Sequence, residues 1–279
     1  MENSVYSIYH FFAHLYRNRK QLAAKEKLSD FAFDAELLSY EGAGRFPDLA
    51  IRVNPENKPP GGELVELKDS RSYSVSSFNS TIPSGVKAIA DITGGKSNVL
   101  REGMLARGDD IHALPERDVF YLVRGRKNGN MKICLVHGSF FETVPVDELI
   151  QGSFTQALNE RLQEEDEEIS EELRALITGL FSRQDTFSKV RHVKNASVRL
   201  RFRVMTEVNR QGNILSSRSY PKIKDNTISL VLPYKTEAER AQQQRYIRMA
   251  ISKSEWEVGS SFTICHPLNG KFLVLSYAL

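Results

Sequence analysis

The stretch from Phe46 to Ser70 does most to limit what this 279-residue chain can fold into. It reads FPDLAIRV, then a Pro/Gly-rich NPENKPPGG, then ELVELKDS. Two apolar runs separated by a turn-rich segment are the pattern of a β-hairpin. With its turn centred near Lys58, antiparallel pairing is expected to set Val53 opposite Glu63, Ala50 opposite Glu66 and Asp48 opposite Lys68, give or take a residue. Because strand side chains alternate, Leu49, Ile51, Val53, Val65 and Leu67 form an apolar face, and Asp48, Arg52, Glu66 and Lys68 collect on the other.

That polar face has chemistry in reach. Two converging carboxylates repel each other unless a cation sits between them, and Mg²⁺ characteristically takes one or two carboxylates with water and phosphate oxygens. Lys68 beside them can position an attacking water and offset phosphate charge, which together points to in-line attack at phosphorus. The competing reading is a hairpin with an ordinary solvated outer face, since Pro-Asp followed by Glu-x-Lys is a short pattern.

The surrounding chain alternates between helical and strand periodicity. Val5, Ile8, Tyr9, Phe12, Leu15 and Tyr16 predict an opening amphipathic helix over 5–16. A second helix is expected from Ser29 or Asp30 through FAFDAELLSY, stopping in EGAG. RSYSVSSFNSTIPSG after the hairpin is loop-like, and VKAIADIT fits a helix or a strand. DVFYLVRG and MKICLVHG are strands joined at Asn128-Gly129. Val146 to Phe181 is helical, SVRLRFRVMTEV alternates as a strand, and TISLVLPY, SFTICHPL and KFLVLSYAL follow as strands, with helical TEAERAQQQRYIRMAIS after the first of these three. The expected fold is α/β, a mixed central sheet flanked by helices. A boundary near 183–190 divides a core over 1–183 from a basic, β-rich region over 184–279, unless those later strands extend the first sheet.

Net charge is +3 but unevenly spread. Glu160 to Arg174 sums to −6, and Thr186 to Ser254 to +11. A localised basic surface has a polyanion as its usual partner, although two solvated faces account for the same charges. Hydrophobic residues at 41% and charged residues at 26% are near globular averages, which argues against wholesale disorder. No run is long enough to span a bilayer and no secretion signal is read, so a cytoplasmic protein is expected. Cys134 and Cys265 each lie in apolar runs and suggest no disulfide framework. The scattered histidines, the cysteines and the lack of a P-loop leave zinc, thiol and nucleotide chemistry unsupported.

Pro47-Asp48 followed by Glu66-Leu67-Lys68 resembles the PD-(D/E)xK signature of the restriction-endonuclease-like nucleases, and the order helix, hairpin, further strand is similar to that family's core over roughly Ser29 to His137. The resemblance implies a restriction-endonuclease-like sheet and Mg²⁺-dependent hydrolysis of DNA phosphodiesters. It makes Asp48, Glu66 and the Leu67 carbonyl the metal ligands and Lys68 the catalytic lysine. A further glutamate from the preceding helix falls to Glu36, with Glu41 in reserve. Type II members of this size cut short double-stranded sites as homodimers; a structure-specific or repair nuclease of the same fold and a non-catalytic nucleic-acid-binding protein are the alternatives.

A nuclease holds its duplex through phosphate contacts and reads it through base edges. Ser70, Arg71, Tyr73, Ser77, Asn79, Ser80 and Thr81 leave the metal site directly, and Asn79 suits an adenine edge. Arg199, Arg201 and Arg203 form a stripe on one strand, and Arg210, Arg218, Lys222 and Lys224 flank a later loop. These basic residues are the expected DNA contacts of the C-terminal part.

Overall fold

A computed structural model describes residues 7–42, 46–71, 73, 77–79, 83–94, 98–142, 146–164, 169–181, 186–193, 196–201, 205–207 and 211–279. Ile8, Phe11, Phe12, Leu15 and Tyr16 recur at helical spacing and are all buried, so the first element is the amphipathic helix α1, Ile8–Arg17. A short helix follows, α2 Arg19–Ala24, and then strands β1 Leu38–Glu41, β2 Leu49–Ile51, β3 Leu64–Ser70, β4 Ser77–Asn79 and β5 Val86–Ala88. Helices α3 Ile89–Thr93 and α4 Val99–Ala106 lead to β6 Glu116–Lys127 and β7 Asn130–His137. Then come α5 Val146–Glu164, α6 Glu171–Phe181, β8 Thr186–Val193, β9 Ala196–Arg201 and β10 Met205–Glu207. The chain closes with β11 Thr227–Tyr234, α7 Glu237–Ala250, α8 Lys253–Val258, β12 Ser260–His266 and β13 Gly270–Ala278.

The expected second helix is not formed. Leu28–Asp30 is a single 3₁₀ turn, and the chain runs on extended to a turn and into β1. Phe31 and Phe33, two residues apart, are both buried, and Phe33 stacks on Phe11 with ring centroids 5.7 Å apart. Asp34 Oδ1 accepts the Glu36 N–H at 3.0 Å, a turn-forming bond that diverts the backbone from a helix. The ambiguous VKAIADIT is both things in succession, β5 and then α3. Asn128 and Gly129, with φ of 50° and 77°, make the tight β6–β7 turn expected of them.

The main sheet is mixed, in the order β1-β2-β3-β6-β7-β11-β13-β12, with β5 attached to the start of β6. β3 runs parallel to β6, and β7 parallel to β11; the other neighbours are antiparallel. The hairpin register is Leu49↔Val65 and Ala50↔Leu64, with a bridge Val53↔Gly61. This is two residues from the register expected with Lys58 at the turn, because the turn closes one residue earlier, Asn54 N–H donating to the Pro60 carbonyl at 2.7 Å. A shift of two keeps every side chain on its face.

One face of the sheet carries Leu49, Ile51, Val65, Phe120, Leu122, Ile133, Leu135, Leu230 and Leu275, in one cluster with the buried residues of α1 and Ile247 of α7. The opposite face carries Ala50, Leu64, Glu66, Tyr121, Cys134, Val136 and Val231.

The chain divides elsewhere than near 183–190. One compact unit comprises Met1–Ser76, Ser84–Glu142 and Val208–Leu279, and a second comprises Ser77–Pro83 and Thr143–Glu207. The strands of the C-terminal part therefore split: β11, β12 and β13 extend the main sheet, while β8 and β9 form their own hairpin and β10 pairs with β4. No helix among the described residues is long and apolar enough to cross a membrane.

Candidate active site

Asp48 stands just ahead of β2, and Glu66 and Lys68 stand two residues apart on β3, so all three fall on the face opposite α1. They meet where β2 begins. The β2 ladder covers Leu64 and Val65, and beyond it the Leu67 N–H is taken by Asp48 Oδ2 at 2.8 Å. A strand residue's N–H and C=O point toward the same neighbouring strand, so the Leu67 carbonyl is directed to the edge where the Asp48 carboxylate sits. Lys68 Nζ donates to Glu66 Oε1 at 3.0 Å. Glu66 Oε2 is buried with no hydrogen-bond partner.

The electrostatics follow from that burial. Loss of solvent pushes the Glu66 carboxyl up to about 7 against the pull of the Lys68 ammonium, and the Asp48 charge adds to the rise. Burial raises Asp48 as well, held back by the Leu67 N–H and by the Lys68 ammonium. Two desolvated carboxyls beside one ammonium hold both charges at a cost, which a proton or a divalent cation between them relieves. Among the described residues no group of three or more His, Cys, Asp or Glu side chains gathers to hold a metal. A cation here would rest on Asp48, Glu66 and the Leu67 carbonyl, with water and substrate completing its shell. Those hard oxygen donors suit Mg²⁺ rather than Zn²⁺.

Neither of the helix glutamates joins them. Glu36 is exposed on the turn before β1, where the Leu37 carbonyl accepts the Arg52 N–H, four residues along from Asp48 or roughly 13 Å at strand spacing. Glu41 pairs with Leu49 and so belongs to the face opposite Asp48.

The residues expected to touch nucleic acid belong to several elements of the two units. Ser70 ends β3 and Arg71 follows it exposed. Tyr73 turns inward: it is 7% exposed, its carbonyl accepts the Leu215 N–H at 2.8 Å, and Lys132 Nζ lies 4.8 Å from its ring centre. Ser77 and Asn79 lie on β4, and Arg199 and Arg201 two apart on β9; the side chains of these four, and all of Ser80, Thr81, Arg203 and Arg210, fall outside the described residues. Arg218, Lys222 and Lys224 are exposed on the loop 211–226, which is anchored by buried Leu215, Tyr220 and Ile223.

Motif reading passed over Lys132, the residue that fastens this loop. Its ammonium, on a residue 2% exposed, donates to the Ile223 carbonyl at 2.6 Å, Ser217 Oγ at 2.8 Å and the Leu215 carbonyl at 3.3 Å, and pairs with Asp225 at 3.2 Å. The signal was a lysine opening an apolar strand on its inward-facing register. Tyr121 was missed too: it is level with Glu66 on the adjacent strand and fully buried, and burial together with the Glu66 charge keeps its hydroxyl protonated. No protein-family model, curated protein or solved structure matches this chain.

Proposed function

We propose that this protein is a Mg²⁺-dependent, site-specific DNA endonuclease with a restriction-endonuclease-like core. The observation that carries the reading is the convergence of Asp48, Glu66 and Lys68 at the open end of the hairpin, with the Leu67 N–H fixed on Asp48. Asp48 and Glu66 would hold the cation, whose chemistry when bound would be to lower the pKa of a water and to stabilise charge on the phosphate. Lys68, held by Glu66 at 3.0 Å, is placed to orient the attacking water and to donate to a phosphate oxygen as its charge grows. Arg71 beside β3 and Arg218, Lys222 and Lys224 on the anchored loop are exposed cations for phosphate contacts.

Incubation with supercoiled plasmid and Mg²⁺ tests this. Discrete linear fragments are expected. Nicking confined to branched or damaged DNA points to a structure-specific nuclease, and salt-sensitive binding with no cleavage in Mg²⁺ or Mn²⁺ overturns the enzymatic reading.

A further inference from the structure

The segment 84–88 borders the face that carries Glu66. The Ser84 backbone lies at the Tyr121 hydroxyl, and Tyr121 is level with Glu66 on the adjacent strand. Three residues further on, β5 pairs antiparallel with the start of β6 and sets Lys87 opposite Arg117. Arg117 precedes Tyr121 by four residues on one strand, so Lys87, Arg117, Tyr121 and Glu66 belong to the same face of the sheet.

The two cations paired across β5 and β6 are held in different ways. Arg117 is buried, and its terminal nitrogens donate to the Asp109 carboxylate at 3.0 and 3.2 Å, so its charge is matched inside the fold. Lys87 is only partly buried, and its Nζ lies 5.5 Å from the centre of the Phe46 ring. An ammonium within about 6 Å of an aromatic ring is drawn to the negative face, which places the cation without neutralising it. Phe46 is two residues before Asp48, so their Cα atoms are at most about 7 Å apart. Lys68 is engaged with Glu66 at 3.0 Å, which leaves the grip on neighbouring phosphates to other cations.

We propose that Lys87 binds a phosphate of the DNA backbone close to the one under attack, with the Phe46 ring holding its ammonium at the rim of the site. This rests on the nuclease reading above. A side chain already placed by a ring loses less freedom when it meets the phosphate than an unrestrained lysine does. A contact to a phosphate that does not react is made equally in the bound and transition states, so it contributes to affinity and not to turnover.

Salt titration of DNA binding by the full chain tests the contact, with a fluorescent random-sequence duplex as the probe and Ca²⁺ in place of Mg²⁺ so that no DNA is cut. Each phosphate contact adds about 0.9 to the slope of log K against log salt. Lys87→Met is expected to lower the slope by about that amount, and Lys87→Arg to restore it, since a guanidinium keeps the charge and also lies well over a ring. Lys253→Met is the control and should leave the slope unchanged: this side chain is 91% exposed on α8, whose Trp256 packs with the α1 cluster. In plasmid cleavage with Mg²⁺, Lys87→Met should raise KM while kcat stays within about twofold. An unchanged slope in Lys87→Met, an equal fall in Lys253→Met, no recovery in Lys87→Arg, or a loss confined to kcat overturns the proposal. A wild type that binds the duplex but cuts no plasmid overturns the nuclease reading and leaves the slopes to decide on Lys87. A wild type that binds no duplex overturns both.

Discussion

Asp69 and Arg124 face each other across the parallel strands β3 and β6 in a closed fork, Nε to Oδ1 at 2.7 Å and Nη2 to Oδ2 at 3.0 Å. The fork lies on the α1 side of the strand, directly behind Lys68. The remaining Arg124 donors reach the carbonyls of Leu22, Lys25 and Glu26 at 2.8–2.9 Å, and Asp69 Oδ2 also takes the Leu28 N–H at 2.8 Å. One buried guanidinium thus joins the strand carrying the site to the chain leaving α2.

Removing the guanidinium leaves the carbonyls it serves without their donor, while Asp69, 41% exposed, regains water, so the cost is about 1–3 kcal/mol. Arg124→Ala is expected to lose that much in urea unfolding. Arg124→Lys should recover only a minor part, because an ammonium cannot supply the planar five-donor arrangement. A loss of less than about 1 kcal/mol in Arg124→Ala would show that the fork is not structural.

The elements that local pattern specifies were legible before the structure: the hairpin, the β6–β7 pair with its Asn-Gly turn, α1, α7 and the closing strands. The start and stop pattern failed over 28–41, where a cap at Ser29 or Asp30 and the glycines of EGAG predict a helix although Phe31 and Phe33 enter the core from extended chain. The hairpin faces were legible because a two-residue shift preserves them, while the register depended on where the turn closed. Arg124 and Lys132 escaped because their roles come from strands and loops distant in sequence, and spacing along one segment carries no record of those partners. The glutamate sought on a preceding helix failed with the helix itself.

Glu63 supplies a stability prediction with a definite sign. It is buried, Oε1 accepting the Ile8 N–H at 3.1 Å at the start of α1 and Oε2 having no partner, and burial pushes its pKa up to about 7 from 4.5. The folded state binds more protons between those values, so this contribution is fully present below the unfolded pKa and is lost as pH rises through about 7. The loss amounts to about 3 kcal/mol. Glu63→Gln should flatten that part of the stability curve between pH 5 and 8, measured by denaturation; an unchanged slope would show that Glu63 is ionised in the fold.

The raised Glu66 carboxyl makes cation binding pH-dependent. Since Glu66 sits near 7 and a cation needs it ionised, Mg²⁺ or Mn²⁺ should bind more weakly at pH 6 than at pH 8, by about tenfold at the limit of one proton released per ion. Calorimetric titration in buffers of different ionisation enthalpy would count that proton. Equal affinity at both values, with no proton released, would remove Glu66 from the ligand set.

Lys132 should govern the order of the loop it anchors. Lys132→Met keeps the volume of the stem and removes four polar contacts, leaving the Leu215 carbonyl without this donor and the Ile223 carbonyl with the weaker bond from Ser217 Oγ at 3.3 Å. Limited trypsin digestion should then cut faster at Arg218, Lys222 and Lys224 than in the wild type, followed by mass spectrometry. An unchanged pattern would mean that Leu215, Tyr220 and Ile223 hold the loop by packing alone.

The central claim is that Asp48, Glu66 and Lys68 form a metal-assisted hydrolytic site, and Mg²⁺-dependent plasmid cleavage by the wild type beside Asp48→Ala and Lys68→Ala tests it most directly. The expected result is fragmentation by the wild type, cleavage slower by about a hundredfold to a thousandfold in each variant, as for the loss of a group that stabilises transition-state charge, and DNA binding largely retained in both. Full Mg²⁺-dependent cleavage by both variants would contradict the account.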